Sequence, residues 1–113
     1  MPDDLAEDKY TYLEIIGANI IKVPQVSIVD PNHFFNKARD YAKINNAYFL
    51  NQFDNLDNLD VHFRETGPEI FKQMNGRIDA FVCSAGTGGT IAGVSKYLKE
   101  ATFNRVDIVL ADP

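Results

Sequence analysis

Residues 78–111 read IDAFVCSAGTGGTIAGVSKYLKEATFNRVDIVLA, and this stretch decides the fold. The apolar segment 78–84 predicts a strand, the glycine-rich residues 85–89 predict a turn, and residues 90–100 predict a helix with Ile91, Val94 and Leu98 on one face. The nearly all-apolar segment 106–111 predicts a second strand, of the kind that is buried in a parallel sheet. Strand, turn, helix and strand in this order indicate one βαβ unit with a right-handed crossover.

The turn of this unit, SAGTGGT at 84–90, has a composition that suits an anion. Glycine lets the backbone bend tightly and approach a ligand closely, because no Cβ stands in the way. The turn leads into a helix N-terminus, where unpaired N–H groups and the positive end of the helix dipole attract negative charge. Two threonine hydroxyls add donors. We therefore expect a phosphate cup formed by Gly86, Thr87, Gly88, Gly89 and Thr90.

Several interpretations of the glycine turn compete. A P-loop requires a Gly-Lys pair, which the chain lacks, so we reject it. A dinucleotide-binding domain requires Gly-x-Gly-x-x-Gly; Gly86 and Gly88 fit, Ile91 takes the third glycine position, and Asp112 stands near the expected ribose-binding acid. This alternative is weakened but stays open. A cup for a single phosphate monoester such as pyridoxal 5'-phosphate (PLP) is the third interpretation, and a plain strand-to-helix turn is the fourth.

The part of the chain before this unit alternates between helical and extended patterns, which predicts an α/β protein. Asp3 or Asp4 is expected to cap a first helix that ends at Gly17. The apolar face of that helix comprises Leu5, Tyr12, Leu13, Ile15 and Ile16. The following segments are predicted as a strand at 19–23, a helix from Asp30-Pro31 to about Ile44, and a strand at 47–50.

A polar segment at 51–58 is predicted to be a hinge between two halves of the chain. Helical residues are expected from about Leu59 to Met74, with an interruption near Gly67-Pro68. Neither His33 nor His62 has a second ligand at metal spacing, so no metal site is predicted. The only cysteine, Cys83, is expected to be buried in its strand.

Composition excludes several classes of function. The 113 residues suffice for one small domain, and a hydrophobic content of 45% permits a packed core. A net charge of −5 argues against binding to nucleic acid or to an anionic membrane. One cysteine cannot form a disulfide framework, which indicates a reducing compartment. The acidic N-terminus resembles no signal peptide, and no apolar run is long enough to span a membrane.

Four stretches, in order, resemble the fold-type II PLP enzymes of the cysteine synthase (O-acetylserine sulfhydrylase) and cystathionine β-synthase family. They are Met1-Pro2 with residues 13–21, residues 51–55, residues 66–70, and the glycine turn with its helix at 84–99. The resemblance covers essentially the whole chain. Residues 29–34 and 110–113 look most like the fungal cysteine synthase-like branch.

The resemblance implies an α/β fold, in which the chain is a partial three-layer open parallel sheet with flanking helices, a fragment of the tryptophan synthase β-like PLP fold. Residues 1–57 would belong to a small mobile domain that closes on substrate. Residues 58–113 would begin the large domain that binds the PLP phosphate. The implied reaction is a β-replacement that makes cysteine from an O-activated serine and sulfide. Members are usually homodimers, and the expected location is the cytoplasm, or the mitochondrion if a missing N-terminal segment targets the protein there.

Residue by residue, the glycine turn matches the family's phosphate loop without a gap. Gln52 matches a glutamine that helps bind the carboxylate of the amino-acid substrate, and Phe53 matches an aromatic residue of the same pocket. The family's Schiff-base lysine lies upstream of this chain, and none of the seven lysines of this chain matches that position. The serine that meets the pyridine nitrogen lies downstream. We therefore expect the chain alone to be inactive, with a non-catalytic remnant or binding module as the alternative.

Overall fold

The structure is a computed structural model in which residues 1–111 are described. Its helices are α1 (Glu7–Ile15), α2 (Phe34–Ile44), α3 (Asp57–Val61), α4 (Gly67–Gln73) and α5 (Gly89–Ala101). A π-helical turn, His62–Thr66, joins α3 to α4, and the strands are β1 (Ala80–Cys83) and β2 (Asp107–Leu110). The chain divides into two units, Met1–Asn51 and a second that begins at Gln52.

The second unit contains the predicted βαβ arrangement. β1 and β2 are parallel, with Ala80 opposite Asp107 and Cys83 opposite Leu110, and α5 connects them. This confirms the α/β fold class. The core beneath the sheet is centred on three fully buried side chains, Val94, Leu98 and Val106. Two of these lie on the helix face that the sequence predicted to be apolar.

β2 is less buried than its composition predicts. Val109 is 45% exposed and Leu110 is 54% exposed, although both are apolar. Within residues 1–111 the sheet has two strands, so each strand has one edge without a neighbouring strand. The all-apolar pattern was right about the parallel sheet, but burial on both faces requires layers that the described residues do not form.

The predicted break near Gly67 and Pro68 is wrong, since α3, the π-helical turn and α4 follow one another without a gap. Pro68 has no N–H to donate and would clash with a carbonyl of the preceding α-helical turn. Here the preceding turn is π-helical, and its i→i+5 hydrogen bonds, with more residues per turn, leave room for the proline ring. Gly67 is buried against the Tyr97 side chain. A Cβ added at Gly67 would lie 2.7 Å from the Tyr97 Cβ atom, so only glycine fits at this position.

The first unit is held together around Tyr10, which is 1% exposed. Its hydroxyl donates to the Pro2 carbonyl at 2.7 Å and accepts from the Leu5 N–H at 3.0 Å. Pro2 also forms an isolated parallel bridge with Val23. These contacts fix the start of the chain against residues 21–23 and against α1.

The prediction for α1 is partly wrong. Gly17 does end it in the left-handed region, with φ 87°. The cap position, however, is held by Ala6 without a side-chain hydrogen bond. Tyr12, Ile15 and Ile16 are more than 60% exposed, because the buried side of the helix is the one that carries Tyr10.

Three further local predictions in this unit are corrected. Residues 19–23 and 47–50 form no strand, because the described residues offer them no partner strand beyond the Pro2–Val23 bridge. α2 begins at Phe34, because the Asp30 carboxylate accepts from the Asn32 N–H at 2.7 Å and so closes a turn. His33 provides the cap instead.

Candidate functional site

The glycine turn lies between the end of β1 and the first turn of α5. Gly88 occupies the position before the helix, with φ 84° and ψ −7°. A residue with a Cβ is strained at such a φ, so the sequence needs glycine to turn the chain from the strand into the helix. The sequence predicted both the turn and the helix start within one residue.

The space outside the turn is open where a ligand could approach it. A Cβ added at Gly86 or at Gly88 would meet no atom within 4 Å. Within residues 1–111, no side chain caps the N-terminus of α5. The N–H groups of the first helical turn therefore remain available to an anion, whose charge the helix dipole also favours.

Gly89 serves a purpose that the sequence analysis did not foresee. We expected its missing Cβ to leave room for a ligand. Instead, a Cβ at Gly89 would collide with the carboxamide of Asn58. The glycine therefore admits a protein side chain to the turn, and the same holds for Gly93, where a Cβ would meet the Leu59 carbonyl oxygen and the Phe63 nitrogen.

Asn58 connects the turn to the polar segment before α3. Its Nδ2 atom donates to the Thr87 Oγ1 atom at 2.7 Å and to the Gln52 carbonyl oxygen at 3.0 Å. The Thr87 hydroxyl, which the sequence predicted as a donor to a ligand, is thus already an acceptor from Asn58. A hydroxyl can accept and donate at once, so its own proton remains available.

Thr90 is held in a similar way by His62. The Thr90 Oγ1 atom lies 3.1 Å from His62 Nε2, and His62 Nδ1 lies 2.9 Å from the Thr66 Oγ1 atom. Both ring nitrogens of this histidine therefore have hydroxyl partners. The arrangement orients the imidazole ring and places one hydroxyl at the start of α5.

Asn58 and His62 were not predicted from the sequence to be residues of the site. The spacing 58, 62 and 66 puts three polar side chains on one face of a helix, because residues four apart are neighbours there. That signal was present in the sequence. The direction of this face toward the glycine turn was not, since it depends on the packing of two segments about thirty residues apart.

A cleft of about 250 Å³ lies beside the turn. The predicted site residues Phe53, Thr87, Gly88 and Gly89 all line it. Its other lining residues are Asp54, Asn55, Leu56, Asn58, Leu59 and Ala92. Gln52, Gly86 and Thr90 are not part of this lining, although Gln52 is joined to it through its carbonyl group and Asn58.

Four further expectations from the sequence concern Cys83, metal binding, membrane spans and Asp112. Cys83 is half-buried, less than predicted, and its thiol donates to the Ser84 carbonyl oxygen at 3.1 Å. Residues 1–111 hold no group of three His, Cys, Asp or Glu side chains placed to bind a metal ion. Within the same residues no helix is long and apolar enough to cross a membrane. Asp112, the acid of the dinucleotide alternative, lies outside the described residues.

A protein-family model described as "Pyridoxal-phosphate dependent enzyme" matches residues 1–113. Cysteine synthase 2 of Schizosaccharomyces pombe is 46% identical over 121 residues, which cover 100% of this chain and 30% of that protein. A putative mitochondrial cysteine synthase of Saccharomyces cerevisiae is 47% identical over 120 residues, with the same two coverages. The chain thus spans about a third of the length of these relatives.

Solved structures agree in fold. A hydrogen sulfide-producing enzyme of Fusobacterium nucleatum, Fn1220, matches with a TM-score of 0.86 and 29% identity, over 100% of this chain and 37% of that one. A second such enzyme of the same organism, Fn1055, matches with a TM-score of 0.79 and 35% identity, over 92% of this chain and 32% of that one.

Proposed function

Because this chain belongs to the pyridoxal-phosphate dependent enzyme family, we propose that its glycine turn binds the phosphate of PLP. The observation that carries the proposal is the open turn at Gly86–Thr90, set between a strand and the uncapped N-terminus of α5. This arrangement offers backbone N–H groups and hydroxyls to one small anion and needs no lysine.

The residues present fit a phosphate monoester. Gly86 and Gly88 leave the approach open, and the helix dipole of α5 favours a negative ligand. Thr87 accepts from Asn58 and so keeps its own proton for an outward hydrogen bond. Thr90 can donate outward in the His62 tautomer that carries its proton on Nε2. We propose that Gly86, Thr87, Gly88, Gly89 and Thr90 hold the cofactor phosphate.

The proposed activity of the complete enzyme is a β-replacement that forms cysteine from an O-activated serine and sulfide. Similarity to cysteine synthases over the full length of this chain supports this substrate class. PLP, when bound, supplies the electron sink that such chemistry requires. We propose that Gln52 orients the carboxylate of the amino-acid substrate, whereas Phe53, which lines the cleft beside the turn, bounds the same pocket.

We further propose that the 113-residue chain alone has no turnover. None of its lysines matches the Schiff-base lysine of the family, and the covalent attachment of PLP and the main proton-transfer base depend on that lysine. The role of this chain in the reaction would be to bind the phosphate and to orient the substrate. The complete enzyme would supply the lysine.

Domain roles and assembly are also proposals. Residues 1–57 would contribute to the mobile domain that closes on substrate, and residues 58–113 would begin the phosphate-binding domain. Along the chain, the division between the two compact units falls between Asn51 and Gln52, slightly before this boundary. We propose a homodimer without nucleic-acid partners, in agreement with the net charge of −5. A cytoplasmic location is proposed, with the mitochondrion as the alternative that the similarity to the yeast protein supports.

A competition assay tests the proposed cofactor against the alternatives. The purified chain is titrated with PLP while cofactor fluorescence is recorded, and inorganic phosphate or NAD is then added. Displacement by inorganic phosphate but not by NAD is expected, because a single phosphate monoester occupies the turn. Tighter binding of NAD would favour the dinucleotide-binding domain. Absence of binding by all three ligands would favour a non-catalytic remnant.

A further inference from the structure

We infer that Asn58 is the residue that makes Thr87 a hydrogen-bond donor to the cofactor phosphate, a positioning role that rests on the proposed function. Asn58 lies on α3, 29 residues before Thr87, and its side chain contacts the glycine turn. The Thr87 hydroxyl can rotate about its C–O bond, so the direction of its proton depends on the groups around it.

The chemistry of the two contacts fixes the roles of the atoms. One contact of Asn58 is with the Gln52 carbonyl oxygen, which can only accept, so the atom that faces it must be the amide nitrogen. The same Nδ2 atom contacts the Thr87 Oγ1 atom at 2.7 Å. The amide nitrogen of Asn58 carries two hydrogens and cannot accept a hydrogen bond, so the Thr87 hydroxyl oxygen must be the acceptor in this contact. The hydroxyl proton of Thr87 therefore points elsewhere and can serve only an acceptor, such as a phosphate oxygen.

The absence of a Cβ at Gly89 makes room for the Asn58 side chain. A Cβ at Gly89 would collide with the Asn58 carboxamide, so the first residue of α5 has to be glycine for Asn58 to reach Thr87. Asn58 and Gly89 also line the cleft of about 250 Å³ beside the turn. The carboxamide is thus placed at the wall of the candidate site and held by two hydrogen bonds.

The same contact joins the two proposed binding functions. Asn58 bonds to the backbone of Gln52, the proposed substrate-carboxylate residue, and to Thr87, the proposed phosphate residue. One carboxamide therefore keeps the substrate segment and the phosphate turn in a fixed relation. Loss of the carboxamide would release both.

The test compares PLP with pyridoxal, which lacks the phosphate, by equilibrium binding to the full chain. Asn58→Leu has nearly the shape of asparagine but no donor. It is expected to weaken PLP binding about tenfold, as for a lost hydrogen bond to a charged group, and to leave pyridoxal binding unchanged. A merely structural role would weaken both ligands alike. In a Thr87→Val background, Asn58→Leu is expected to have no further effect, because the two residues act through one hydroxyl.

Asn58→Asp provides a second comparison, since a carboxylate accepts and would take the Thr87 hydroxyl proton. Its PLP affinity is expected to fall further than that of Asn58→Leu. The matched control is Asn104→Asp, which adds the same charge in an exposed segment after the far end of α5, about 20 Å away by helix length. This control is expected to change PLP affinity less than about twofold.

The outcomes separate the inference from the proposed function. If the unaltered chain does not prefer PLP to pyridoxal, the proposed phosphate site is wrong and the role of Asn58 falls with it. If it prefers PLP but Asn58→Leu retains that preference, only the role of Asn58 is overturned. Should Asn58→Leu fail to fold, nuclear magnetic resonance of the unaltered chain decides. The Asn58 side-chain amide signals are expected to shift on addition of PLP and not of pyridoxal, and equal behaviour with both ligands would overturn the inference.

Discussion

The Thr90 hydroxyl oxygen lies 3.1 Å from the Nε2 atom of His62, a residue 28 positions earlier in the chain. With the 2.9 Å contact between His62 Nδ1 and Thr66, this places both ring nitrogens of the histidine in hydrogen bonds. The π-helical turn that begins at His62 is thereby tied to the first turn of α5. π-Helical turns are frequent at functional sites, and here the turn presents its first side chain to the glycine loop.

Replacement of His62 by phenylalanine keeps a ring but removes both hydrogen bonds. We expect a loss of about 1–2 kcal/mol in the free energy of unfolding, since the partly buried Thr66 hydroxyl and the exposed Thr90 hydroxyl both lose their partner. Urea denaturation measures this loss. In a Thr90→Val background the same replacement should cost clearly less, because one of the two contacts is already gone. Equal costs in both backgrounds would show that the Thr90 contact contributes nothing to stability.

Gly88 is required by its backbone conformation and not by crowding. Its φ is 84° and nothing lies within 4 Å of an added Cβ. Gly88→Ala is therefore expected to cost about 1–2 kcal/mol in unfolding free energy, through strain alone. Gly88→Asn should cost about half as much, because asparagine tolerates the left-handed region. Thermal unfolding of the two variants checks the order, and an alanine variant as stable as the unaltered chain would refute the conformation.

Gly93 is required for the opposite reason. A Cβ there would meet the Leu59 carbonyl oxygen and lie 2.8 Å from the Phe63 nitrogen, both backbone atoms that cannot rotate away. Gly93→Ala is expected to destabilise the chain by about 1–3 kcal/mol, despite the higher helix propensity of alanine. Gly86→Ala is the control, since a Cβ there meets nothing within 4 Å. Urea midpoints for the two variants should differ, and coinciding midpoints would contradict the close approach of α5 to the helical segment 59–63.

The small core makes the second unit sensitive to single truncations. Leu98 is 0% exposed and packs with Val94 and Val106. Leu98→Ala is expected to cost about 2–5 kcal/mol, a large share of the stability of a chain of this size. Leu56→Ala serves as control because Leu56 is 74% exposed, and it should change stability by less than about 0.5 kcal/mol. Calorimetric unfolding of both variants compares these costs, and similar values would place the core elsewhere.

The sequence predicted the βαβ unit well because its signals are local. Strand, glycine turn and helix face follow from hydrophobic period and from glycine chemistry, and the buried Val94 and Leu98 lie where the period puts them. The strands predicted at 19–23 and 47–50 failed, because a strand forms only with a partner and partners are not encoded locally.

The same distinction between local and long-range signals applies to the candidate site. Backbone features of the turn, such as the left-handed Gly88, were predictable from residue type. The contacts of Thr87 with Asn58 and of Thr90 with His62 join residues about thirty positions apart. They depend on the close packing that Gly89 and Gly93 permit between α5 and the preceding helical segment. Glycine in the sequence indicated a missing side chain, but not whether a ligand or a protein group would fill the space.

The most direct test of the account is the backbone nuclear magnetic resonance spectrum of the chain during titration with PLP and, in parallel, with pyridoxal. If the N-terminus of α5 binds the phosphate, PLP shifts the amide signals of Gly88, Gly89 and Thr90, and pyridoxal at the same concentration leaves them in place. Amide signals of these residues that stay unmoved by PLP, or that respond equally to both ligands, would contradict a phosphate site at the N-terminus of α5.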